Sequence, residues 1–139
     1  MVENTLYAKL PQYLLGLRSR GNQLAWTFDL IPAVIEAGRA AGLVNRGGDL
    51  QILLPGGGRG ESYNFGVWIH DVRLSPLPPD CHVDVSAALA LYDFRSLGGQ
   101  VALMAEAMAG WGRHFLADAP KAEEVLCFEW RFTEPRGGL

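Results

Sequence analysis

The sequence predicts an α+β fold: two N-terminal helices, an antiparallel sheet of about four strands, and one long helix before the last strand. Apolar residues recur at helical spacing in the first third of the chain, and strand-like alternation flanks a glycine-rich stretch in the middle. A helical stretch then precedes a further alternating stretch near the end. Residues 1–139 are expected to form a single domain, because 139 residues with 49% hydrophobic side chains can bury one core.

The N-terminal segment is predicted to form an amphipathic helix over residues 3–18. Its apolar residues recur at helical spacing: Leu6, Leu10, Tyr13, Leu14 and Leu17. Pro11 falls inside this segment and is expected to kink the helix or to reset its start, because proline has no amide hydrogen to donate. Residues 18–22 are expected to form a polar turn.

A second helix is predicted between Asp29, as its N-terminal cap, and Gly42, as its C-terminal glycine. Pro32 suits the first turn, where an amide hydrogen is expendable. The face expected to be buried consists of Ile31, Val34, Ile35, Gly38 and Ala41.

The middle of the chain is predicted to contain a β-hairpin. Period-two alternation over residues 49–54 and 63–70 indicates two strands, and the glycines between Leu54 and Glu61 indicate the turn that joins them. A phosphate-binding loop would need a helix after the glycines and a Lys-Ser or Lys-Thr pair, and the sequence has neither pattern here. Residues 75–80, SPLPPD, are expected to lack regular structure because three prolines remove amide donors.

The segment over residues 82–94 is ambiguous between strand and helix. Its apolar residues keep period two, which favours a strand, whereas its alanines and leucines favour a helix by intrinsic propensity. The strand is preferred because pattern usually outranks propensity. The period-two residues are Val83, Val85, Ala87, Leu89 and Leu91.

The C-terminal third predicts a long helix and a last strand. Residues 99–116 have helical spacing, with an expected buried face of Val101, Met104, Ala105, Met108, Trp111 and Phe115. Residues 125–132, VLCFEWRF, alternate, and the row of Leu126, Phe128, Trp130 and Phe132 is expected to face the core. Residues 136–139 are expected to form a frayed tail.

Composition excludes several classes of function. A net charge of −3 disfavours nucleic acid as a partner, because phosphate contacts need clustered Lys and Arg. Apolar stretches are too short to span a membrane, and the first residues reverse the charge order of a signal peptide, so the chain is expected to be cytoplasmic. No cofactor or metal is expected, since the histidines and cysteines lack ligand spacing. Cys81 and Cys127 are expected to stay reduced.

No catalytic group is predicted, so the chain is expected not to be an enzyme. Gly60-Glu61-Ser62-Tyr63-Asn64 falls one residue short of the G-x-S-x-G nucleophile elbow, and Ser62 opens a strand where the elbow needs a helix. His70 and Asp71 are adjacent along a strand, so their side chains point to opposite faces and are not expected to pair.

The expected function is therefore the binding of another protein. Trp68 shares a strand face with polar residues and is expected to point outward as an interface anchor, unless a loop or the first helix covers it. Carboxylates near the last strand form either a solvated face or an acidic surface for a basic partner. The predicted contact residues are Glu61, Trp68, His70, Asp71, Glu124 and Glu129.

A family resemblance covers residues 26–68. The stretches WTFDLIPAVIEAGRAAGLVNRGGDLQILLPGG and ESYNFGVWI resemble small immunity proteins of bacterial polymorphic toxin systems, including contact-dependent growth inhibition. The shared features are a helix, an A-G-L turn, a G-G-D strand start and an L-P-G hairpin. The resemblance implies a cytosolic antitoxin without enzymatic activity that binds a cognate toxin domain, expected to be basic, and blocks its active site.

Two alternatives stay open at this point. The first is a small enzyme or ligand-binding domain with a pocket between sheet and helices, in which Ser62, His70 and Asp71 are the first residues to test. The second is a homo-oligomer with Trp68 or the row from Leu126 to Phe132 at its interface. The sequence does not decide between monomer and dimer.

Overall fold

The computed structural model describes residues 6–17, 25–115 and 120–135, except for the side chains of residues 63 and 64. These parts of the chain have the predicted α+β fold. The helices are α1 (Gln12–Gly16), α2 (Ile31–Ala40), α3 (His82–Ser96), α4 (Gln100–Trp111) and α5 (Ala122–Val125). The strands are β1 (Ala25–Thr27), β2 (Val44–Leu53), β3 (Arg59–Val67) and β4 (Leu126–Thr133). Short 3-10 turns lie at Phe28–Leu30, Val72–Leu74, Pro79–Cys81 and Gly112–His114.

The four strands form one antiparallel sheet in the order β1-β4-β2-β3. The last strand along the chain therefore lies inside the sheet, between β1 and β2. The predicted antiparallel sheet is confirmed, but the strand predicted over residues 82–94 is not part of it, because this segment is a helix. One face of the sheet is buried against α2, α3 and α4. Its largest side chains are Trp26, Leu50, Ile52, Leu126, Phe128, Trp130 and Phe132.

The row from Leu126 to Phe132 faces the core, as predicted. Its four side chains are at most 4% exposed. The alternative in which this row joins two copies of the chain is therefore wrong, because these side chains are already covered within one copy.

Pro11 lies where the predicted first helix is interrupted: Leu6 and Tyr7 are helical, residues 8–11 are not, and a new helix starts after Pro11. Helix α1 begins at Gln12, and the carbonyl of Pro11 accepts the amides of Leu14 and Leu15 at 3.1 and 3.3 Å. A single helix over residues 3–18 is thus wrong at this point, because proline cannot donate to the preceding turn. The polar turn expected at residues 18–22 and the tail at 136–139 lie outside the described residues.

Helix α2 matches its prediction except at its cap. Leu30 occupies the cap position without a side-chain hydrogen bond, while Asp29 lies one residue earlier and accepts from the Thr27 hydroxyl at 2.8 Å. Gly42 follows the helix with a φ of +78°, as a C-terminal glycine requires. The side of α2 that faces the sheet is tight, since a Cβ on Gly38 would lie 2.0 Å from the Phe132 ring.

Residues 82–94 form a helix, so the preferred strand interpretation is wrong. Five residues of α3 are buried at helical spacing: His82, Ser86, Ala87, Ala90 and Phe94. The period-two row is split by this geometry, and Leu89 is 42% exposed. Helix propensity therefore outweighs an alternation that arises by coincidence. The preceding SPLPPD segment also departs from expectation at its end, because Pro79–Cys81 forms one 3-10 turn. Pro78 is the N-cap of this turn and Pro79 is its first residue, and neither position needs an amide donor.

Helix α4 forms where it is predicted but buries a different face. Leu103 and Ala107 are its buried residues, whereas Val101 is 85% exposed. Met104 and Met108 are half-buried, and Ala105 is exposed. Trp111 and Phe115 are half-buried as well, so the core covers the predicted row in part and leaves it open at Val101 and Ala105.

Candidate functional site

The glycine-rich stretch is the turn of a hairpin, as predicted. The amide of Leu54 donates to the carbonyl of Gly58 at 2.8 Å, and the amide of Gly57 donates back to Leu54 at 2.9 Å. Gly57 has a φ of +98°, which favours glycine. Strand β3 begins directly afterwards at Arg59. No helix start follows these glycines, so the loop does not have the geometry of a phosphate-binding loop.

The hairpin and β4 place charged side chains together on the face of the sheet opposite the core. Residues paired directly across strands share a face, and the pairs are Gln51 with Glu61 and Asp49 with Glu129. By the same alternation Arg59 and Arg131 lie on this face. We call the surface formed by these residues and Trp68 the open face. It consists of Asp49, Gln51, Arg59, Glu61, Trp68, Glu129 and Arg131.

The charges of the open face form a continuous network. Nη2 of Arg131 donates to Oδ2 of Asp49 at 3.0 Å and to Oε1 of Glu129 at 2.8 Å. Nη1 of Arg59 donates to Oε2 of Glu129 at 3.0 Å and also contacts Oε1 of the buried Gln51. Asp49 and Glu129 thus each have an arginine partner, which fixes these side chains relative to the sheet.

Trp68 is attached to the same network. Its Nε1 donates to Oδ1 of Asp49 at 2.8 Å, so the carboxylate of Asp49 binds an indole and a guanidinium with its two oxygens. The indole lies over Gly66, where a Cβ would approach its Cε2 to 2.7 Å. Trp68 nevertheless stays 59% exposed, which confirms that it points outward. A large aromatic side chain is thus held in one orientation on the surface, the arrangement typical of an interface anchor.

Three of the six predicted contact residues share the open face: Glu61, Trp68 and Glu129. Glu61 is exposed, and no ion pair to it is found in the described part of the chain. Glu129 differs, because its carboxylate is only 17% exposed and is bound by Arg59 and Arg131. Glu129 therefore orients these two arginines and has little surface of its own that is open to solvent.

Asp71 lies in a separate, structural cluster. Its carboxylate accepts from Nη2 of Arg73 at 2.8 Å and from the Arg73 amide at 3.0 Å, with Nη1 of Arg46 at 3.3 Å. These hydrogen bonds from Arg73, with the charges of Arg46 and Arg73, lower the pKa of Asp71 to about 2. The carboxylate is 10% exposed, so it has little surface left for a partner. In the described residues, the side chains that bind Asp71 are those of Arg46 and Arg73. The adjacent His70 is exposed.

Glu124 lies on α5 and is exposed, away from the network of the open face. Sequence reasoning missed Asp49, Arg59 and Arg131. The alternation of β4 does place Arg131 beside Glu129 on the outward row, but the sequence does not reveal that β2 lies next to that row, with β3 beyond it. Asp49 and Arg131 are 82 positions apart, and only the strand pairing joins them.

A groove of about 290 Å³ lies between α2 and α3. Its polar groups bind one another, since Arg39 donates to Asp84 at 2.9 Å and to Glu36 at 3.0 Å. The groove lies between helices, whereas the predicted ligand pocket was to lie between helices and sheet. The residues that the structure describes contain no group of three potential metal ligands. Cys81 and Cys127 are not joined by a disulfide.

Comparison with protein-family models, with curated proteins and with solved structures finds no match. The resemblance to immunity proteins is thus a prediction that these comparisons leave untested. Within the described ranges, no helix combines the length and the apolar character needed to cross a bilayer.

Proposed function

We propose that this chain is a protein-binding module without catalytic activity, and specifically a cytosolic immunity protein that neutralises a cognate toxin domain. The proposed contact surface is the open face of the sheet. The observation that carries the proposal is Trp68, which is 59% exposed and yet fixed by Asp49 and Gly66. A fixed side chain loses little entropy on binding, so most of the apolar area that it buries favours association.

The charge of the open face supports a basic partner. Three carboxylates, from Asp49, Glu61 and Glu129, face two guanidiniums, from Arg59 and Arg131, which leaves a net charge of −1. The uncompensated charge is that of Glu61, because the other two carboxylates are bound by arginine. Glu61 would therefore be the residue that meets a Lys or Arg of the toxin, which increases the association rate more than the affinity.

The proposed mechanism is steric occlusion. The open face belongs to a sheet whose other side is anchored in the core, so it presents a rigid surface. Trp68 would enter the mouth of the toxin active site, and the surrounding network would exclude water around it. Neutralisation then depends on covering the toxin residues and needs no reaction by this chain.

The proposal is tested by co-purification with the toxin-like product of the neighbouring gene, followed by an assay of toxin activity. Wild-type chain is expected to bind and inhibit, and Trp68→Ala is expected to weaken binding by at least about thirtyfold, equivalent to about 2 kcal/mol. Tyr92→Ala is the matched control, because Tyr92 is a similarly exposed aromatic residue, 64%, on α3 at the core side of the sheet. Equal binding by both variants would contradict the assigned surface, and failure of the wild type to bind would contradict the function.

A further inference from the structure

An apolar groove of about 390 Å³ lies between α4 and α5, and no role in the preceding sections uses it. Most of its wall comes from one side of α4, and the rest comes from the start of α5. The lining residues are Gln100, Val101, Met104, Ala105, Met108, Ala122 and Glu123. The volume is within the range of sites that bind ligand-sized or side-chain-sized groups.

The wall of this groove has the spacing of a helix-binding surface. Val101, Met104, Ala105 and Met108 follow the i, i+3, i+4, i+7 pattern that marks one face of a helix. The other side of α4 already packs on the sheet through Leu103 and Ala107. Helix α4 is thus apolar on two sides: one is fully buried, and the other is only partly covered, since Met104 and Met108 are half-buried while Val101 and Ala105 are exposed. Val101 is 85% exposed, the highest value among the exposed large hydrophobic side chains.

Methionine and charge indicate what the groove would bind. Two of its lining residues are methionines, whose unbranched side chains adapt to different apolar partners. Among the described residues that line the groove, Glu123 alone is charged, and the exposed Glu124 follows it. Lys121 precedes α5 and is exposed but does not line the groove. The groove therefore combines an apolar floor with an acidic rim.

We propose that this groove is a docking site for an amphipathic helix of a partner protein, with an apolar stripe flanked by Lys or Arg. The stripe would cover Val101, Met104 and Met108, and a basic side chain would meet Glu123. In helix-in-groove recognition the bound helix supplies apolar anchors at i, i+3, i+4 and i+7, so the partner helix is expected to carry this spacing. The site is distinct from the open face, so it stands or fails independently of the proposed toxin binding.

Methionine-methyl NMR on the full chain tests the proposal directly. The sequence has only three methionines, Met1, Met104 and Met108, so a sample labelled with 13C at the methionine methyl groups gives few signals, and Met104→Leu and Met108→Leu assign two of them. The probe is a synthetic amphipathic helix of Leu and Lys, and its counterpart has Glu at every Lys position. The Met104 and Met108 signals are expected to shift with the Lys peptide, with an apparent Kd at least about tenfold lower than with the Glu peptide.

Three variants separate docking from general attraction of a cation to an acidic protein. Val101→Asn is expected to raise the apparent Kd about tenfold through lost apolar contact, equivalent to about 1.4 kcal/mol. Ala102→Asn is the matched control, because Ala102 is the exposed neighbour on the same helix outside the lining, and its Kd is expected to stay within about twofold. Glu123→Gln is expected to weaken the binding of the Lys peptide and not to weaken the binding of the Glu peptide.

Several outcomes would overturn the proposal. These are the absence of any shift, equal affinity for both peptides, and an equal loss in Val101→Asn and Ala102→Asn. Methyl shifts that appear on raising the protein concentration alone would assign the groove to a second copy of this chain and would also overturn it. Far-ultraviolet circular dichroism of Val101→Asn, expected to match wild type because the residue is exposed, shows that the helix persists.

Discussion

Trp68 is bound to Asp49 by a hydrogen bond of 2.8 Å from the indole Nε1 to Oδ1, and the second oxygen of the same carboxylate binds Arg131. One short side chain thus sets the positions of the two residue types that most often dominate protein interfaces. Asp49 itself is 26% exposed, so a partner would meet the indole and the guanidinium more than the carboxylate that orients them.

Removal of this carboxylate is predicted to loosen the open face without unfolding the chain. Asp49→Ala should lower the free energy of unfolding by about 1 kcal/mol, since each of its hydrogen bonds contributes modestly at a partly exposed site. The indole N–H of Trp68 should exchange faster with solvent, which 15N NMR can follow because the chain has four tryptophans. Glu61→Ala is the control and should change stability by less than about 0.5 kcal/mol. Unchanged exchange of the Trp68 indole in Asp49→Ala would contradict this account.

Gly66 is predicted to be required for the position of Trp68. A Cβ at this residue would lie 2.7 Å from the indole, so Gly66→Ala should displace the ring and cost about 1–2 kcal/mol of stability. Gly56→Ala provides the comparison, because a Cβ on Gly56 meets nothing within 4 Å. Urea unfolding and the Trp68 indole chemical shift measure the two effects. An undisturbed indole signal in Gly66→Ala would show that the contact is not restrictive.

The cluster around Asp71 is predicted to stabilise the fold above acidic pH. Its pKa falls from 3.8 to about 2 on folding, chiefly through hydrogen bonds from Arg73. A lowered pKa means that this stabilisation is complete above pH 3.8 and is lost as the pH falls towards 2. Asp71→Asn should therefore be less stable than wild type by about 2 kcal/mol at neutral pH, and the difference should shrink as the pH falls through this window. A difference that stays constant with pH would indicate lost packing instead of lost charge.

Asn45 is predicted to be the most sensitive polar residue of the core. Its Oδ1 accepts the Trp130 indole at 2.9 Å, its Nδ2 donates to the Ile35 carbonyl at 3.3 Å, and it is 1% exposed. Asn45→Ala leaves both groups buried without these partners and should cost about 3 kcal/mol in urea unfolding. Gln12→Ala on the exposed side of α1 should change stability by less than about 0.5 kcal/mol. A loss below about 1 kcal/mol for Asn45→Ala would mean that water replaces the side chain.

The sequence predicts the elements whose signals are local. The glycines before Glu61, Pro32 in the first turn of α2, and the aromatic row of β4 each specify a conformation through near neighbours. The prediction for the segment from His82 fails because its period-two alternation is coincidental, whereas helix propensity and the packing of residues at helical spacing on the sheet both favour the helix. The row that begins at Val101 is predicted only in part, since a helical apolar pattern is present but the fold buries it incompletely and leaves Val101 85% exposed.

The sequence predicts only those residues of the candidate site whose signal is local. Trp68 could be found because it is a large aromatic residue in the row of its strand that otherwise carries polar residues. Asp49 and Arg131 could not, because their roles depend on which strands become neighbours, and β4 follows β2 by more than 70 positions in the chain. A carboxylate surrounded by arginines and one facing solvent have the same sequence signature, so Glu129 and Glu61 look alike until the strands are paired.

The position of β4 has a consequence for how the protein matures on the ribosome. Strand β4 follows every other described element along the chain, yet it supplies the backbone partners of both β1 and β2. A nascent chain can close the β2–β3 hairpin early, but it has to wait for Leu126–Thr133 before β1 gains its pairing partner. Until then the β2 edge that later binds β4 is available to chaperones or to other nascent chains, and a ribosome stalled before Leu126 would carry a product unable to complete its sheet.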